Sequence, residues 1–394
     1  MDLDPILKAL AAALAGEGAA VQLHPAGSRG QLPDLELLPE AHSAFDGDSD
    51  IAVVVSTSGS TGAPKQTLLS VDALAASSVG TAMALGGEGQ WLLALPAHYV
   101  AGVQVLVRSL FAGTRPWLMD QSAGFTAEAF TAAALELTDR TRFTSLVPTQ
   151  LQRLLQDPAA ETLAVLRRFN AILLGGSPAN AGLLSAARAA GINVVTTYGM
   201  SETCGGCVYD GVPLEGVRVD IREGRIWLGG ELLASGYLAA PALTAHNFIE
   251  ESTGGENLRW YRTDDEGELA ADGRLTVLGR MDDVIITGGL KVSARVVAEQ
   301  LLLVPGVQDA FVTGVPDPDW GQRVCAAVVG SCSMEALLAG AGAVLESHAV
   351  PKTVRFVAEV PMLPTGKPDR QGLKAMLAAE GTGPGTRRRH NQPD

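Results

Sequence analysis

The sequence predicts a mixed α/β protein: a large N-terminal domain with mainly parallel sheets and flanking helices, followed by a small α+β C-terminal domain. Three observations lead there. From residue 51 to about 279, β-branched runs alternate with Ala- and Leu-rich helical runs, the pattern of strands linked by covering helices. After Gly279-Arg280-Met281-Asp282-Asp283 the texture changes to short strands and short helices, over a length suited to one more small domain. Hydrophobic residues make up 47% of the 394 positions and charged residues 18%, so a large core can form and nothing marks the chain as disordered.

The elements follow in order. Residues 1–50 start with an Ala-rich helical stretch and end in the acidic, turn-like Phe45-Asp46-Gly47-Asp48-Ser49-Asp50, and are expected to be a short entry segment. Residues 52–55 form a buried-strand pattern. Residues 144–147 read as a strand ending at Pro148, and a helix then starts at Gln150 with Leu151, Leu154 and Leu155 on one face. Residues 171–174 are a second strand, broken by Gly175-Gly176. Ser177 is expected to cap the next helix, with Pro178 at its first position and Gly191 just past its end. Residues 192–197 are a third strand and run into the polar loop Tyr198-Gly199-Met200-Ser201-Glu202-Thr203. In the small domain Val297, Leu301 and Val304 mark one helix face, and residues 323–329 and 353–357 read as strands. The expected division is therefore 1–281, 282–380, and a solvated Gly/Pro-rich tail at 381–394 that contains Arg387-Arg388-Arg389.

Composition removes several classes of function. The formal charge is −14 with no basic stripe, so a nucleic-acid partner is not expected. The N-terminal Met1-Asp2-Leu3-Asp4 is acidic where a signal peptide is basic, and the apolar stretch at 9–15 is too short to span a bilayer; no membrane insertion and a cytoplasmic location are expected. Four cysteines build no disulfide framework in a chain this long. Cys204 and Cys207 have the spacing of a metal pair, but Cys325 and Cys332 supply no second pair, and inert thiols are expected.

Chemistry concentrates in loops at strand ends. The strand at 52–55 opens into Ser56-Thr57-Ser58-Gly59-Ser60-Thr61-Gly62-Ala63-Pro64-Lys65, whose small residues let backbone N–H groups and hydroxyls close around phosphate oxygens while Lys65 adds a mobile positive charge. A P-loop needs Gly before its lysine and a hydroxyl after it; Pro64 and Gln66 stand there instead. In open α/β sheets ligands bind outside the carboxyl ends of the strands, so the loops near Thr149, Ser177 and residues 198–203 locate a pocket.

STSGSTGAPK at 56–65 resembles the phosphate loop of the adenylate-forming superfamily of acyl-CoA synthetases, peptide-synthetase adenylation domains and luciferases. Four later segments match in the same order: TYGMSET at 197–203, YRTDD at 261–265, GRMDDVIITGGLKVS at 279–293 and LPTGK at 363–367. The resemblance implies ATP, Mg²⁺ and coenzyme A as co-substrates or cofactors, and a mobile small domain. It places Ser58, Gly59, Ser60, Thr61, Gly62 and Lys65 at the phosphates, Tyr198 against the adenine ring, Ser201 near the α-phosphate, and Gly176, Gly199 and Met200 among the nucleotide-binding residues. It puts Glu202 on Mg²⁺, Asp264 on the ribose hydroxyls and Arg280 on ribose or phosphate oxygens. Asp282 resembles the hinge, Gly288, Gly289 and Lys291 the segment lining the pantetheine path, and Lys367 the lysine that bridges the attacking carboxylate and the α-phosphate. Two departures stand out: Gln66 replaces the Gly that usually follows the loop lysine, and the segment before the loop is shorter than in most members.

LPAHYVAGVQVLVRSL at 95–110 and LLGGSPA at 173–179 resemble the short 2-succinylbenzoate–CoA ligases of menaquinone biosynthesis, with Tyr99 where that family usually has His and His98 one place earlier. His98, Tyr99, Thr149 and Ser177 are the candidates for contacting the acid. No carrier domain accompanies the chain, so free CoA is the expected acceptor; a homodimer is left open. Another aryl or short-acyl acid, or a non-catalytic nucleotide-binding role, also stays open, although Lys367, Glu202 and Asp264 fill all the chemical roles.

Overall fold

The computed structural model describes residues 2–27, 32–39, 41, 50–57, 65–122, 124–253, 256–362 and 368–379. Two compact units form, Met1–Thr263 with Gly267–Thr276 and Asp264–Glu266 with Val277–Asp394.

The first unit begins with α1 (Asp4–Leu14), which buries Ile6, Leu10 and Ala13. Strands β1 (Ala20–His24), β2 (Asp34–Leu38), β3 (Ile51–Thr57) and β4 (Lys65–Ser70) follow, and with the short strand Gly236–Tyr237 they form a five-stranded sheet. The first fifty residues are thus more than an entry segment, since they supply two of its strands. Each is five residues long, too short for alternation to announce it against the helical stretch before it. Only β1 and β3 pair in parallel here; β1–β2 and β3–β4 are antiparallel.

The parallel character gathers in a second sheet, built from β5 (Gln90–Leu93), β6 (Trp117–Leu118), β7 (Arg142–Leu146), β8 (Ala171–Leu174), β9 (Val194–Met200), β10 (Gly205–Tyr209) and β11 (Val212–Pro213). Its order is β11-β10-β9-β8-β7-β5-β6, and every pairing from β9 to β6 is parallel. Helices α2 (Val71–Leu85), α3 (Val100–Phe111), α4 (Ala127–Leu135), α5 (Pro148–Leu155), α6 (Ala160–Leu166) and α7 (Ala181–Ala189) connect these strands. Leu151 and Leu154 of α5 and Leu183 and Ala187 of α7 join Phe130, Leu146 and Ile172 in one core. The cap of α7 is Asn180, which accepts from Leu183 N at 2.7 Å, in place of the expected Ser177. Both residue types cap well, so composition could not choose between them. Gly191 lies past the helix end at φ +73°, as its position predicted.

A third sheet holds β12 (Arg218–Arg222), β13 (Arg225–Gly229), β15 (Phe248–Thr253), β16 (Glu256–Leu269) and β17 (Leu275–Arg280); β14 is the Gly236–Tyr237 strand, and α8 is Pro241–Asn247. The division between the units falls inside β16 and β17, just ahead of the boundary expected at 281/282.

The second unit packs β18 (Val284–Thr287), β19 (Leu290–Ser293), β20 (Val307–Asp317), β21 (Gly321–Gly330) and β22 (Thr353–Phe356) with α9 (Ala294–Leu302), α10 (Met334–Val344) and α11 (Arg370–Ala379). Val297, Leu301 and Val304 are buried together in its core. Among the described residues no helix is long and apolar enough to cross a membrane.

Candidate active site

The sheet order β9-β8-β7-β5 carries the consequence for function. Neighbouring parallel strands end at the same edge, so residues 198–203, 175–177, 147–149 and 96–99 lie side by side although up to a hundred residues separate them. Gln150, absent from the expected set, ties two of these ends together: its Oε1 accepts from Val147 N at 3.0 Å and its Nε2 donates to Ala94 O at 3.1 Å. Thr149 sits in the first turn of α5, and Ser177 is half-buried beside Gly176, whose φ is +83°.

His98 and Tyr99 precede α3 with ring centroids 4.0 Å apart. His98 Nε2 is buried with no hydrogen-bond partner among the described residues. Burial, and then the charge of His24, hold the His98 pKa below its ordinary value, while burial raises that of Tyr99. An imidazole kept neutral at this strand end can accept or donate one hydrogen bond to an incoming polar group.

Of the loop expected at 198–203, Tyr198, Gly199 and Met200 belong to β9 and pair with β10, and only Ser201–Thr203 turn away; the end of the strand is built by close backbone approach. Gly199 faces Gly206 in the β9–β10 pair, and a Cβ there would lie 2.0 Å from Gly205 O, so only glycine fits. Thr203 Oγ1 accepts from Met200 N at 3.0 Å and donates to Gly205 O at 2.7 Å, closing the turn. Cys204 follows at φ +50°, and Ser201 and Glu202 are buried. Glu202 Oε1 accepts from the hydroxyl of Tyr237 at 2.8 Å. Burial first, and then the Glu202 charge, push the Tyr237 pKa up. Lys65, the first residue of β4, has its Nζ 5.4 Å from the centroid of the same tyrosine ring. Tyr237 was not anticipated, because nothing local marks a Gly-Tyr pair 35 residues beyond the loop. Residues 58–62 lie outside the described residues.

Cys204 and Cys207 are fully buried, and burial raises both thiols, Cys207 to about 12. Protonated, enclosed sulfurs are poor ligands and nucleophiles, in keeping with inert thiols.

In the second unit Arg280 reaches both Asp264 (3.6 Å) and Asp265 (3.8 Å). The Asp264 carboxylate is 59% exposed against 14% for Asp265, which makes Asp264 the accessible acceptor of the two. Asp282 lies in the single turn Met281–Asp283. Gly288 and Gly289, at φ +58° and +80°, form the two-residue turn between β18 and β19 that demands left-handed residues, and Lys291 is exposed on β19. Lys367 lies outside the described residues.

Polar strand ends gathered at one edge of a parallel sheet, with a buried carboxylate and a lysine sharing one tyrosine, define an α/β protein with its candidate ligand site at that edge. The chain belongs to the family of AMP-binding enzymes: residues 6–238 match the AMP-binding enzyme family, and residues 297–367 match the AMP-binding enzyme C-terminal domain. It is 43% identical over 367 residues to a protein named "Probable 2-succinylbenzoate--CoA ligase" from Mycobacterium tuberculosis, covering 89% of this chain and 93% of the relative. It is 32% identical over 377 residues to a 2-succinylbenzoate–CoA ligase of Geobacillus sp., covering 88% and 74%. Among solved structures, o-succinylbenzoate CoA synthetase (MenE) from Bacillus subtilis in complex with the acyl-adenylate intermediate OSB-AMP matches with a TM-score of 0.69 at 28% identity, over 82% of this chain and 69% of that one.

Proposed function

We propose that this chain is an AMP-forming acid–CoA ligase that converts 2-succinylbenzoate to 2-succinylbenzoyl-CoA in menaquinone biosynthesis. The observation that carries the reading is the 43% identity to a relative named for that reaction, over 89% of this chain and 93% of the relative, so that both units are included.

On this reading the acid carboxylate attacks the α-phosphorus of ATP, forming an acyl–O–P bond while the α–β bridging P–O bond breaks and pyrophosphate leaves. The CoA thiolate then attacks the acyl carbon, a C–S bond forms, and AMP departs. Residues 58–62 and Lys65 hold phosphate oxygens, Tyr198 packs on adenine with Gly176, Gly199 and Met200 leaving it room, and Ser201 bonds the α-phosphate. Asp264 and Arg280 take the ribose. His98, Tyr99, Thr149 and Ser177 line the place of the acid, at the strand ends beside residues 198–203. Lys367 stabilises charge at phosphorus in the first step only, and Gly288, Gly289 and Lys291 line the thiol's path in the second.

Glu202 fits a magnesium ion. Its Oε2 has no hydrogen-bond partner among the described residues, and a buried carboxylate oxygen left open suits a hard ion that completes its shell with phosphate oxygens and water. When bound, the ion supplies positive charge at the phosphate oxygens. A cytoplasmic location accompanies this reading, since ATP and CoA are co-substrates, and a homodimer is tested by the mass from light scattering.

The test is ATP–pyrophosphate exchange without CoA across a panel of acids that includes 2-succinylbenzoate, sulfoacetate, malonate and simple benzoates. Exchange fastest with 2-succinylbenzoate is the expected result. Faster exchange with another acid overturns the substrate, and no exchange with any acid overturns the adenylate mechanism.

A further inference from the structure

Tyr237 is almost fully buried, at 2% exposure, and is fixed from every side. Its N–H donates to Thr244 Oγ1 at 2.9 Å, and β14 pairs with β4 so that Tyr237 stands opposite Thr67. Just upstream, Arg259 donates to the carbonyls of Ala234 and Ser235, both at 2.6 Å, and Ala234 N donates to Glu202 O at 2.9 Å. The ring meets Phe248 edge-on at 5.7 Å. A side chain clamped this firmly does more than fill space when its one polar atom touches a carboxylate.

The hydrogen-bond direction is determined by chemistry. Asn247 Nδ2 lies 3.3 Å from the phenol oxygen and can only donate, the Tyr261 hydroxyl also donates to that oxygen, and Glu202 Oε1, at 2.8 Å, can only accept as a carboxylate. The single phenolic hydrogen therefore goes to Glu202. That bond occupies Oε1, fixes the plane of the carboxyl group and leaves Oε2 for another partner. The opposite aspect of the same residue, its ring, holds Lys65 Nζ at 5.4 Å from the centroid.

We propose that Tyr237 is the positioning residue for the metal-binding carboxylate: by holding Glu202 Oε1 it presets Oε2 toward the cation carried by ATP. The proposal rests on the reading of Glu202 as the magnesium ligand. Groups that orient a metal ligand from behind typically change metal affinity about 10- to 100-fold when removed. They leave binding of the metal-free ligand alone, and this difference separates positioning from general structural support.

The experiment uses the full chain without acid or CoA. Binding of Mn²⁺–ATP is followed by Mn²⁺ electron paramagnetic resonance, and binding of ATP in excess EDTA by calorimetry. Tyr237→Phe keeps the ring and its contacts to Phe248 and Lys65, and is expected to weaken Mn²⁺–ATP about tenfold with metal-free ATP affinity unchanged. Asn247→Leu, which removes one of the two donors to the phenol oxygen and leaves that of Tyr261, is expected to weaken Mn²⁺–ATP by a smaller factor and serves if the first variant does not fold. Unchanged Mn²⁺–ATP affinity, or equal loss of both affinities, overturns the proposal. Glu202→Gln distinguishes the failures: wild-type Mn²⁺–ATP binding there removes the metal assignment itself, whereas loss there with none in Tyr237→Phe removes only the role of Tyr237.

Discussion

Gln66 Nε2 donates to Gln22 Oε1 at 3.0 Å, joining the residue after the loop lysine to a strand that starts twenty residues into the chain. Gln22, at 1% exposure, passes the link on by donating to Ser56 Oγ at 2.7 Å. Three strands are thereby tied at the base of the Ser/Gly-rich loop, because Ser56 and Gln66 stand opposite each other in the β3–β4 pair. The residue that departs from the superfamily pattern is a structural tie in this chain.

Gln66→Met keeps the side-chain length but leaves Gln22 Oε1 without its donor in a buried setting. The expected cost is about 1–3 kcal/mol of unfolding free energy, measured in urea. The Gln22→Leu/Gln66→Met double variant removes both partners and should cost less than the sum of the single variants. Additive losses would show that the two amides do not interact.

His98 gives the chain a defined sensitivity to acid. Its folded pKa lies below 6.5, so under acid the unfolded chain takes up this proton before the native one does. The native state therefore loses stability as pH falls from about 6.5 toward the lower folded pKa, and is unaffected by this group above that window. Urea midpoints at pH 7.5 and 5.5 should converge in His98→Gln relative to wild type; an equal drop in both proteins would show that His98 is not the responsive group.

Lys367→Ala should slow adenylate formation by several orders of magnitude while leaving thioester formation from supplied acyl-adenylate largely intact, since Lys367 is assigned to the first transition state alone. Single-turnover measurement of each half-reaction checks this. Equal losses in both would place the lysine elsewhere.

Asp282→Pro fixes φ near roughly −65° and removes an N–H inside the turn Met281–Asp283. If the small unit alternates between two orientations through this residue, adenylation should survive and CoA transfer should fail. Wild-type rates for both half-reactions in a normally folded variant would rule out alternation at this position.

Local sequence determined the strand cores and the loops that follow them. The run at 171–174 is β8 without a residue's change, and Gly191 has the backbone conformation its place after α7 required. These were legible because each depends on neighbours a few residues away, through periodicity, capping or turn geometry. Adding β1 and β2 to a sheet, and bringing Gln22 to Gln66 and Tyr237 to Glu202, were decided by the tertiary structure. Such contacts join residues tens of positions apart, and their energy comes from satisfying polar groups that only the assembled core takes out of water.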